Sequence, residues 1–374
     1  MSKPSVKFNK DDQPEFYREL RTRVNNYFKE KNISKHANFQ MVFKSIFMLF
    51  LYFTPLVLML TGVVTSLWPV LFMWVLMGFG MSGIGLSVMH DANHGSYSSN
   101  PKVNKAVGFV INFIGGFHAN WIIQHNVLHH SYTNVHGHDE DIDKGVMRFS
   151  PNQEPKRIFR FQAFYAPLFY SIMTIYWFIA KDFEQLIRYN KKDLLVGQGL
   201  TFTSALVQII FHKIWYVGLM LVLPFMLIPL AWGQILLGFL IMHFICGLIL
   251  ALIFQPAHVI EATNFYVADD QGSVENSWAV HQLKTTSNFA NDSVFFSWFV
   301  GGLNYQIEHH LFPTICHVHY KGISAIVKQT AEEYNIPYHH HKTFYGAVKS
   351  HFSLLNDLGN GNYDKKLAES LKTA

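Results

Sequence analysis

Three short stretches of this chain concentrate histidine, a side chain that binds transition metals through a neutral ring nitrogen. The chain has 21 histidines among 374 residues, more than packing alone requires. Two imidazoles four residues apart share one face of a helix, which is a spacing that chelates metals. The stretches are HDANHG (His90, His94), QHNVLHH (His125, His129, His130) and QIEHH (His309, His310).

The number of these imidazoles indicates more than one metal ion. Seven side chains exceed the three or four nitrogen ligands that a single zinc takes. In the second stretch, His125 and His129 are predicted to share a helix face. The ring of His130 points about 100° away on such a helix and is available to a second ion. Imidazole suits iron, copper, zinc and nickel, so ligand type alone does not choose among them.

The histidine stretches are embedded in sequence that is typical of a membrane protein. Hydrophobic residues make up 50% of the chain and charged residues only 15%, whereas a soluble domain has about 25% charged residues. Residues 45–89 and 214–260 contain no Asp, Glu, Lys or Arg. Each stretch is long enough for two spans of about 20 residues. The predicted spans are 45–66, 69–89, 214–231 and 234–256.

The basic residues predict how these four spans cross the bilayer in two hairpins. All 30 Lys and Arg lie in segments 1–44, 90–213 and 258–374, which two hairpins place on one face. The positive-inside rule makes that face cytoplasmic. Two further apolar runs, 106–123 and 161–180, are predicted to lie in the interface, because a crossing by either would separate the histidine stretches.

In their order and separation, HDANHG, HNVLHH and QIEHH resemble the three histidine boxes of the integral-membrane fatty acid desaturases. Gln306 in the third box, together with HHSYTNVHGHDEDID and LNYQIEHHLFP, is similar to the front-end branch. Members of that branch insert a double bond between an existing one and the carboxyl end. The resemblance implies an all-α membrane domain over 45–345 with a cytoplasmic helical cap carrying a dimetal site. Segment 1–44 precedes this domain and a tail, 346–374, follows it.

The resemblance also implies the chemistry of the site. Two iron ions would use O2 as co-substrate to desaturate an acyl chain carried as acyl-CoA or acyl-lipid. The implied ligands are the seven box histidines and His258, which follows the fourth predicted span and matches a histidine of the family. His281 is expected to be non-essential, in a loop or cap. The remaining candidates, as ligands or as groups that orient the imidazoles, are Gln306, His281, Asn276, Asp91, Glu308, Asp139 and Asp141.

The predicted partners follow from what the chain contains. It has no HPGG haem motif and about 40 residues before the first predicted span, which predicts a separate electron donor. Ferredoxin or free cytochrome b5, with its reductase, would fill that role. The basic residues form no dense patch, which disfavours nucleic acid. A bacterial inner membrane is favoured, with the endoplasmic reticulum as the alternative for a eukaryotic chain.

Three other functions remain open at this point. A related membrane di-iron hydroxylase of alkanes, sterols or carotenoids would use the same histidines, although Gln306 and HHSYTN favour the desaturase. A one-zinc hydrolase is disfavoured by the ligand count. A metal transporter would need polar residues inside the spans, where His243 is nearly alone. His243 is expected to be a neutral imidazole that hydrogen-bonds across helices.

Overall fold

The computed structural model describes residues 6–142 and 145–365, and these are mostly helical. The two short two-stranded sheets are both parallel, β1 (Lys7–Phe8) with β2 (Ser273–Val274) and β3 (Ser287–Phe289) with β4 (His339–His341). The helices are α1 (Pro14–Glu30), α2 (Phe39–Leu60), α3 (Leu67–Asn93), α4 (Pro101–Ile114), α5 (His118–Tyr132), α6 (Arg157–Lys191), α7 (Phe202–Leu227), α8 (Trp232–His258), α9 (Trp278–Lys284), α10 (Val294–Phe299), α11 (Gln306–Leu311), α12 (Tyr320–Glu333) and α13 (Phe344–Asn360).

Five of the described helices, α2, α3, α6, α7 and α8, are long and apolar enough to cross a membrane. Their mean hydropathy over 18 residues lies between 1.4 and 2.7. Helices α4 and α5 pass the same test as a pair that bends by 108°. Lengths of this kind match the hydrocarbon thickness of a bilayer. The prediction of an all-α membrane protein is therefore confirmed in this coarse form.

The prediction of four spans is not confirmed, because α6 is a fifth helix of spanning length that contains the run predicted to lie in the interface. Two of the helices also extend beyond the predicted spans. The spans predicted at 45–66 and 214–231 belong to α2 and α7, which begin six and twelve residues earlier. The predictions stopped at Lys44 and Lys213, yet both side chains are buried. Lys213 Nζ lies 2.5 Å from a carboxylate oxygen of Asp182, which offsets its charge inside the helices.

The described chain divides into two compact units. Unit two comprises residues 36–123 and 168–251 and contains α2, α3, α4, α7 and most of α6 and α8. Helices α2 and α3 touch at Gly80, where a Cβ atom would lie 2.7 Å from the backbone nitrogen of Tyr52. Only glycine allows this approach, because a side chain would overlap the backbone of α2. The bend between α4 and α5 falls at Gly115, which has a positive φ of 87°.

Unit one comprises the described parts of residues 1–35, 124–167 and 252–374. Its core joins α1 to α12 through the apolar faces that carry Phe16, Leu20, Ile323 and Val327. Ile307 of α11 belongs to the same core, so the helix that carries the third histidine box is fixed by hydrophobic packing.

The segment predicted as a C-terminal tail begins inside α13, a helix that buries Leu354, Leu355 and Leu358 in unit one. Residues 366–374 of that segment lie outside the described residues, as do residues 1–5 of the predicted N-terminal segment. The boundaries predicted for the desaturase domain and the cytoplasmic position of the cap stay predictions.

Candidate metal centre

Six histidines of unit one lie together on three helices, with at most 7% of any of them exposed. Helix α5 supplies three, the last turn of α8 supplies one and α11 supplies two. Between Ile123 and His129, α5 is a π-helix, in which backbone hydrogen bonds run from residue i to residue i+5. The six are His125, His129, His130, His258, His309 and His310.

His129, His258 and His310 form the first group of this cluster. One ring nitrogen from each lies within 4.8 Å of the nitrogens of the other two. The three ring centroids are 4.6 to 5.0 Å apart. All three imidazoles are fully buried. Buried ring nitrogens at this separation fit around a single metal ion, and each can supply one bond.

Hydrogen bonds fix which nitrogen of each ring faces the group. His129 Nδ1 lies 3.0 Å from Asp139 Oδ2, and His258 Nδ1 lies 3.2 Å from the carbonyl oxygen of Thr285. Carboxylate and carbonyl oxygens only accept, so Nδ1 carries the proton in both rings. The lone pair is then on Nε2, where a metal binds. The buried Nε2 of His258 has no hydrogen-bond partner among the described residues.

His310 is oriented in the same way by the side chain of Gln282. Its Nδ1 lies 2.8 Å from Gln282 Oε1 and 3.3 Å from the hydroxyl of Thr133. The amide nitrogen of Gln282 donates to the carbonyl oxygen of His130 at 3.1 Å, which sets the amide orientation. Gln282 Oε1 therefore accepts from His310 Nδ1–H, and His310 presents Nε2 as the third lone pair.

His125, His130 and His309 form the second group. The Nε2 atom of His130 lies 3.3 Å from Nε2 of His125 and 3.0 Å from Nε2 of His309. A metal ion binds imidazole nitrogen at about 2.0–2.1 Å, so two ligands of one ion lie about 3 Å apart. His309 Nδ1 is held by the hydroxyl of Tyr320 at 3.1 Å. The donor set of this group also fits a metal.

The grouping differs from the prediction for the second histidine box. His125 and His129 do have stacked rings, 5.4 Å between centroids, but His129 belongs to the first group and His125 to the second. His125 instead approaches His130, five residues on, at 4.8 Å. The prediction assumed an α-helix, whereas the π-helical bonding of this stretch brings residues i and i+5 together.

The histidines of the first box lie in unit two. The rings of His90 and His94 are 4.8 Å apart, and both pack against Trp121 at 5.6 and 5.8 Å. Asp91 Oδ1 lies 3.8 Å from His90 Nδ1, which is too long for a hydrogen bond. The predicted i, i+4 pair is therefore present. Its membership of one centre with the six imidazoles of unit one stays a prediction.

His281 is close to the cluster but faces another way. His281 lies in α9 and is fully buried, so the predicted loop is wrong, and its position in a cap stays a prediction. Its Nε2 donates to the carbonyl oxygen of Thr133 at 2.6 Å, and its ring packs against Phe8 and Tyr266. Burial lowers its pKa to about 4. The side-chain oxygen of Asn276 accepts a hydrogen bond from Lys284 Nζ at 2.7 Å.

The other two candidates lie on α11. Gln306 is buried at its first residue, three positions before His309. Glu308 is fully buried, and its two carboxylate oxygens accept from Asn288 Nδ2 and from the hydroxyl of Tyr338, each at 2.8 Å. Burial raises the pKa of Glu308 to about 7. These bonds attach α11 to β3, so the geometry gives Glu308 a role in holding the helix.

Three groups that hydrogen-bond to imidazoles were not predicted from the sequence. They are the side chains of Gln282 and Tyr320 and the carbonyl oxygen of Thr285. Their bonds to histidine join positions 11 to 28 residues apart. No local spacing signals such a contact. Asp139, by contrast, was selected as an orienting group and lies against His129.

Apolar helices of spanning length indicate a membrane protein, and its clusters of buried histidines are compatible with a metal centre. Comparison with known proteins gives the family. The sequence pattern of the fatty acid desaturases matches residues 66–342. The chain belongs to the fatty acid desaturase family and is an oxidoreductase, and the predicted front-end branch is also confirmed.

The similar proteins are named for desaturation of lipid-bound acyl chains. A sn-1 linoleoyl-lipid 6-desaturase of Synechocystis sp. is 35% identical, over 92% of this chain and 95% of its own length. An enzyme of the same name from Arthrospira platensis is 34% identical, with 92% of each chain covered. An acyl-lipid (8-3)-desaturase of Physcomitrium patens is 33% identical over 96% of this chain and 74% of its own length.

Proposed function

We propose that this protein is an O2-dependent di-iron desaturase that introduces a cis double bond into an acyl chain of a membrane lipid. The observation that carries the proposal is the first histidine group. Three buried rings with fixed Nδ1 protons present their Nε2 lone pairs to one point. The second group supplies nitrogen for a second ion. His90 and His94 are proposed to complete the ligand set, as the sequence predicts.

Iron held by neutral nitrogen ligands supplies the redox and O2 chemistry needed to take hydrogen from unactivated methylenes. In the overall reaction, two adjacent CH2 groups each lose one hydrogen and become CH=CH. One O2 accepts those two hydrogens, two electrons from the donor and two protons, and leaves as two molecules of water. The reaction therefore balances with two electrons per double bond, which a one-electron carrier supplies in two transfers.

The described residues contribute orientation and exclusion of water. Asp139, Gln282 and the Thr285 carbonyl keep the imidazoles in one tautomer, so each ring is ready to bind without reorganising. Full burial of His129, His258 and His310 keeps water from the lone pairs. A dry site also protects a strong oxidant from side reactions before an acyl chain reaches it.

The substrate and partners are proposed from the similar proteins. The enzymes of Synechocystis sp. and Arthrospira platensis are named for linoleoyl-lipid and position 6. We therefore favour acyl-lipid over acyl-CoA, an existing double bond in the substrate and insertion at position 6. Electrons would come from ferredoxin or free cytochrome b5 with its reductase. A bacterial inner membrane is the favoured location, and the endoplasmic reticulum is the eukaryotic alternative.

Expression in a host that makes linoleoyl lipids but lacks further desaturation tests the proposal. Fatty acids released from whole lipids should contain a new triene, and mass spectrometry of suitable derivatives should place its new double bond at position 6. Cells expressing the His258→Ala variant serve as the control and should lack the product. Hydroxy acids as the main product would instead indicate the hydroxylase, and product found first on acyl-CoA would exclude the lipid substrate.

Metal content provides a second test. Protein purified from iron-replete cells should hold about two irons per chain, as expected from the number of nitrogen ligands. Removal of iron by a chelator should abolish activity, and added ferrous iron should restore it. One zinc per chain, with activity that zinc alone restores, would contradict the di-iron proposal.

A further inference from the structure

Unit one has an open cavity of about 470 Å³ between the first turn of α6 and the last turn of α13. Its lining consists of Arg157, Arg160, Phe161, Gly359 and Asn360. None of these residues belongs to the histidine cluster. Two guanidinium groups and an aromatic ring in one cavity suit a ligand that has both an anionic and an apolar part.

The walls of this cavity are fixed by buried hydrogen bonds. Arg148, 2% exposed, donates to the carbonyl oxygens of Gln153, Pro151 and Leu358 and pairs with Asp364 at 2.9 Å. These contacts attach the end of α13 to the loop before α6. The shape of the cavity is therefore determined by the fold.

A close backbone approach also shapes the cavity. A Cβ atom on Gly359 would overlap the carbonyl oxygen of Phe159, so only glycine allows α13 to come this near to the first turn of α6. Gln162 completes the contact by donating to the carbonyl oxygen of Leu355 at 2.7 Å. The side chains of Arg157 and Arg160 are thereby placed beside the same opening.

Neither Arg157 nor Arg160 forms an ion pair with any described residue, and both are exposed. The end of α13 carries partial negative charge, equivalent to roughly half an elementary charge. That partial charge offsets two full positive charges only in part. The cavity keeps a net positive field that attracts an anion.

Large apolar side chains are exposed beside the cavity. On the same turns of α6, the exposed fractions are 63% for Ile158, 65% for Phe161 and 90% for Phe164. Helix α6 is also long and apolar enough to span a membrane. Basic side chains at the start of such a helix, next to exposed aromatic rings, match the boundary between lipid headgroups and acyl chains.

We propose that this cavity binds the phosphate of an anionic membrane phospholipid. Arg157 and Arg160 bind the phosphate oxygens, and the acyl chains lie along Phe161 and Phe164. A bidentate guanidinium–phosphate contact is among the stronger charge-assisted hydrogen bonds. An acidic protein would satisfy the same two charges, but it would leave the exposed aromatic rings without a matching apolar partner. The apolar rim therefore favours a lipid.

Binding of short-chain lipids to the full-length protein in a neutral detergent tests this proposal. The probes are dioctanoyl phosphatidylglycerol, dioctanoylglycerol and inorganic phosphate, measured by native mass spectrometry. Phosphatidylglycerol should bind, and the double variant Arg157→Gln/Arg160→Gln should weaken its binding about 30-fold, from the attraction of two basic residues to anionic lipid. Each single variant should weaken it about fivefold, which keeps the test valid if the double variant does not fold.

The double variant Arg18→Gln/Arg21→Gln is the matched control, because it removes the same charge from the exposed face of α1. It should bind phosphatidylglycerol as the parent protein does. Equal binding to parent and to the Arg157/Arg160 variants would overturn the proposal. So would dioctanoylglycerol binding as tightly as phosphatidylglycerol, or inorganic phosphate displacing the lipid at equal concentration.

The same binding measurements would also identify an acidic protein as the partner. If poly-glutamate binds more tightly than phosphatidylglycerol and loses that binding in the Arg157/Arg160 variants, the cavity belongs to a protein interface and the lipid proposal fails. None of these measurements depends on turnover or on metal content. A negative result in these binding measurements would therefore not argue against the desaturase function. Absence of desaturase activity would likewise not argue against lipid binding in this cavity.

Discussion

Two histidines of α8, His243 and His258, are both fully buried but differ in the use of their ring nitrogens. In His243, Nε2 bonds to the hydroxyl of Tyr216 and Nδ1 to the hydroxyl of Thr174, each at 3.0 Å. In His258, the Thr285 carbonyl occupies Nδ1 and no described hydrogen-bond partner occupies Nε2. Both ring nitrogens of His243 are therefore hydrogen-bonded, whereas the Nε2 lone pair of His258 has no described hydrogen-bond partner.

The comparison suggests a property that would distinguish a metal ligand from a histidine that only stabilises the fold. Burial and residue type are the same at both positions, so neither decides the role. Hydroxyl groups can donate or accept, and two of them satisfy both nitrogens of a neutral imidazole. A carbonyl oxygen only accepts, so it fixes the proton on one nitrogen and directs the lone pair of the other elsewhere. Substitutions can test this distinction between polar groups that bind or orient a metal ligand and polar groups that only stabilise the fold.

The largest effect is expected from His258→Ala. This change removes one of three lone pairs from the first group, so turnover should be abolished and iron content should fall. His281→Ala is the matched buried control. It should keep the iron and lose no more than the 10–100-fold typical of an orienting group. Product analysis and metal analysis on the same preparations separate the two variants; full iron and activity in His258→Ala with loss of both in His281→Ala would reverse the assignment.

A smaller loss is expected from Asp139→Asn. The neutral amide removes the negative charge that strengthens the bond from His129 Nδ1, so iron affinity or activity should fall roughly 10–100-fold. Iron titration of the metal-free protein measures the affinity. Glu261→Gln is the control, because Glu261 accepts from Ser350 and Ser353 instead of histidine. Equal iron affinity in both variants would show that Asp139 does not orient His129.

The third prediction concerns a loss of stability that leaves the histidine cluster unchanged. Lys213→Met leaves Asp182 charged and buried in unit two and should cost about 3–5 kcal/mol of unfolding free energy. Asp182→Asn/Lys213→Met, with no net buried charge, should recover much of that loss. Thermal or detergent-induced unfolding gives the free energies, and iron per folded chain should stay unchanged in both. If Lys213→Met lost less unfolding free energy than the double variant does, the ion pair would not stabilise the fold.

The smallest effect is expected from His243→Gln. Glutamine offers one donor and one acceptor, so it can replace much of the bonding of His243 to Tyr216 and Thr174. The stability cost should be about 1 kcal/mol, the net worth of a typical hydrogen bond. Iron content should not change. Loss of iron in this variant would remove the contrast between His243 and His258.

The sequence predicted the membrane class and the histidine boxes because both depend on local patterns. Uncharged runs identify apolar helices, and short histidine spacings identify the boxes. The starts of α2 and α7 are not apparent from the sequence, because a lysine in the chain does not show whether a partner lets it lie inside a helix. Asp182 neutralises Lys213 from 31 residues away, and no local pattern shows such a partner.

The organisation of the site was predictable only in part. His258 is predicted as a ligand because it follows an apolar run and matches a histidine of the family, and the described geometry brings it beside His129 and His310. The assignment of His125 and His129 to different groups was missed, since it depends on a change of helix type. Gln282 was also missed, because its contact with His310 depends on how α9 and α11 pack.

The π-helical stretch of α5 limits how the length of this part of the gene can change. Its backbone hydrogen bonds join residue i to residue i+5, and this places His130 beside His125. Removal of one residue between them, for example the exposed Val127, would let the helix return to α bonding, in which residues four apart are neighbours. His130 would then still meet His125. Insertion of one residue would instead put six positions between the two histidines, and neither α nor π bonding brings residues at that spacing together. Alignments of relatives should therefore show single-residue deletions here more often than insertions.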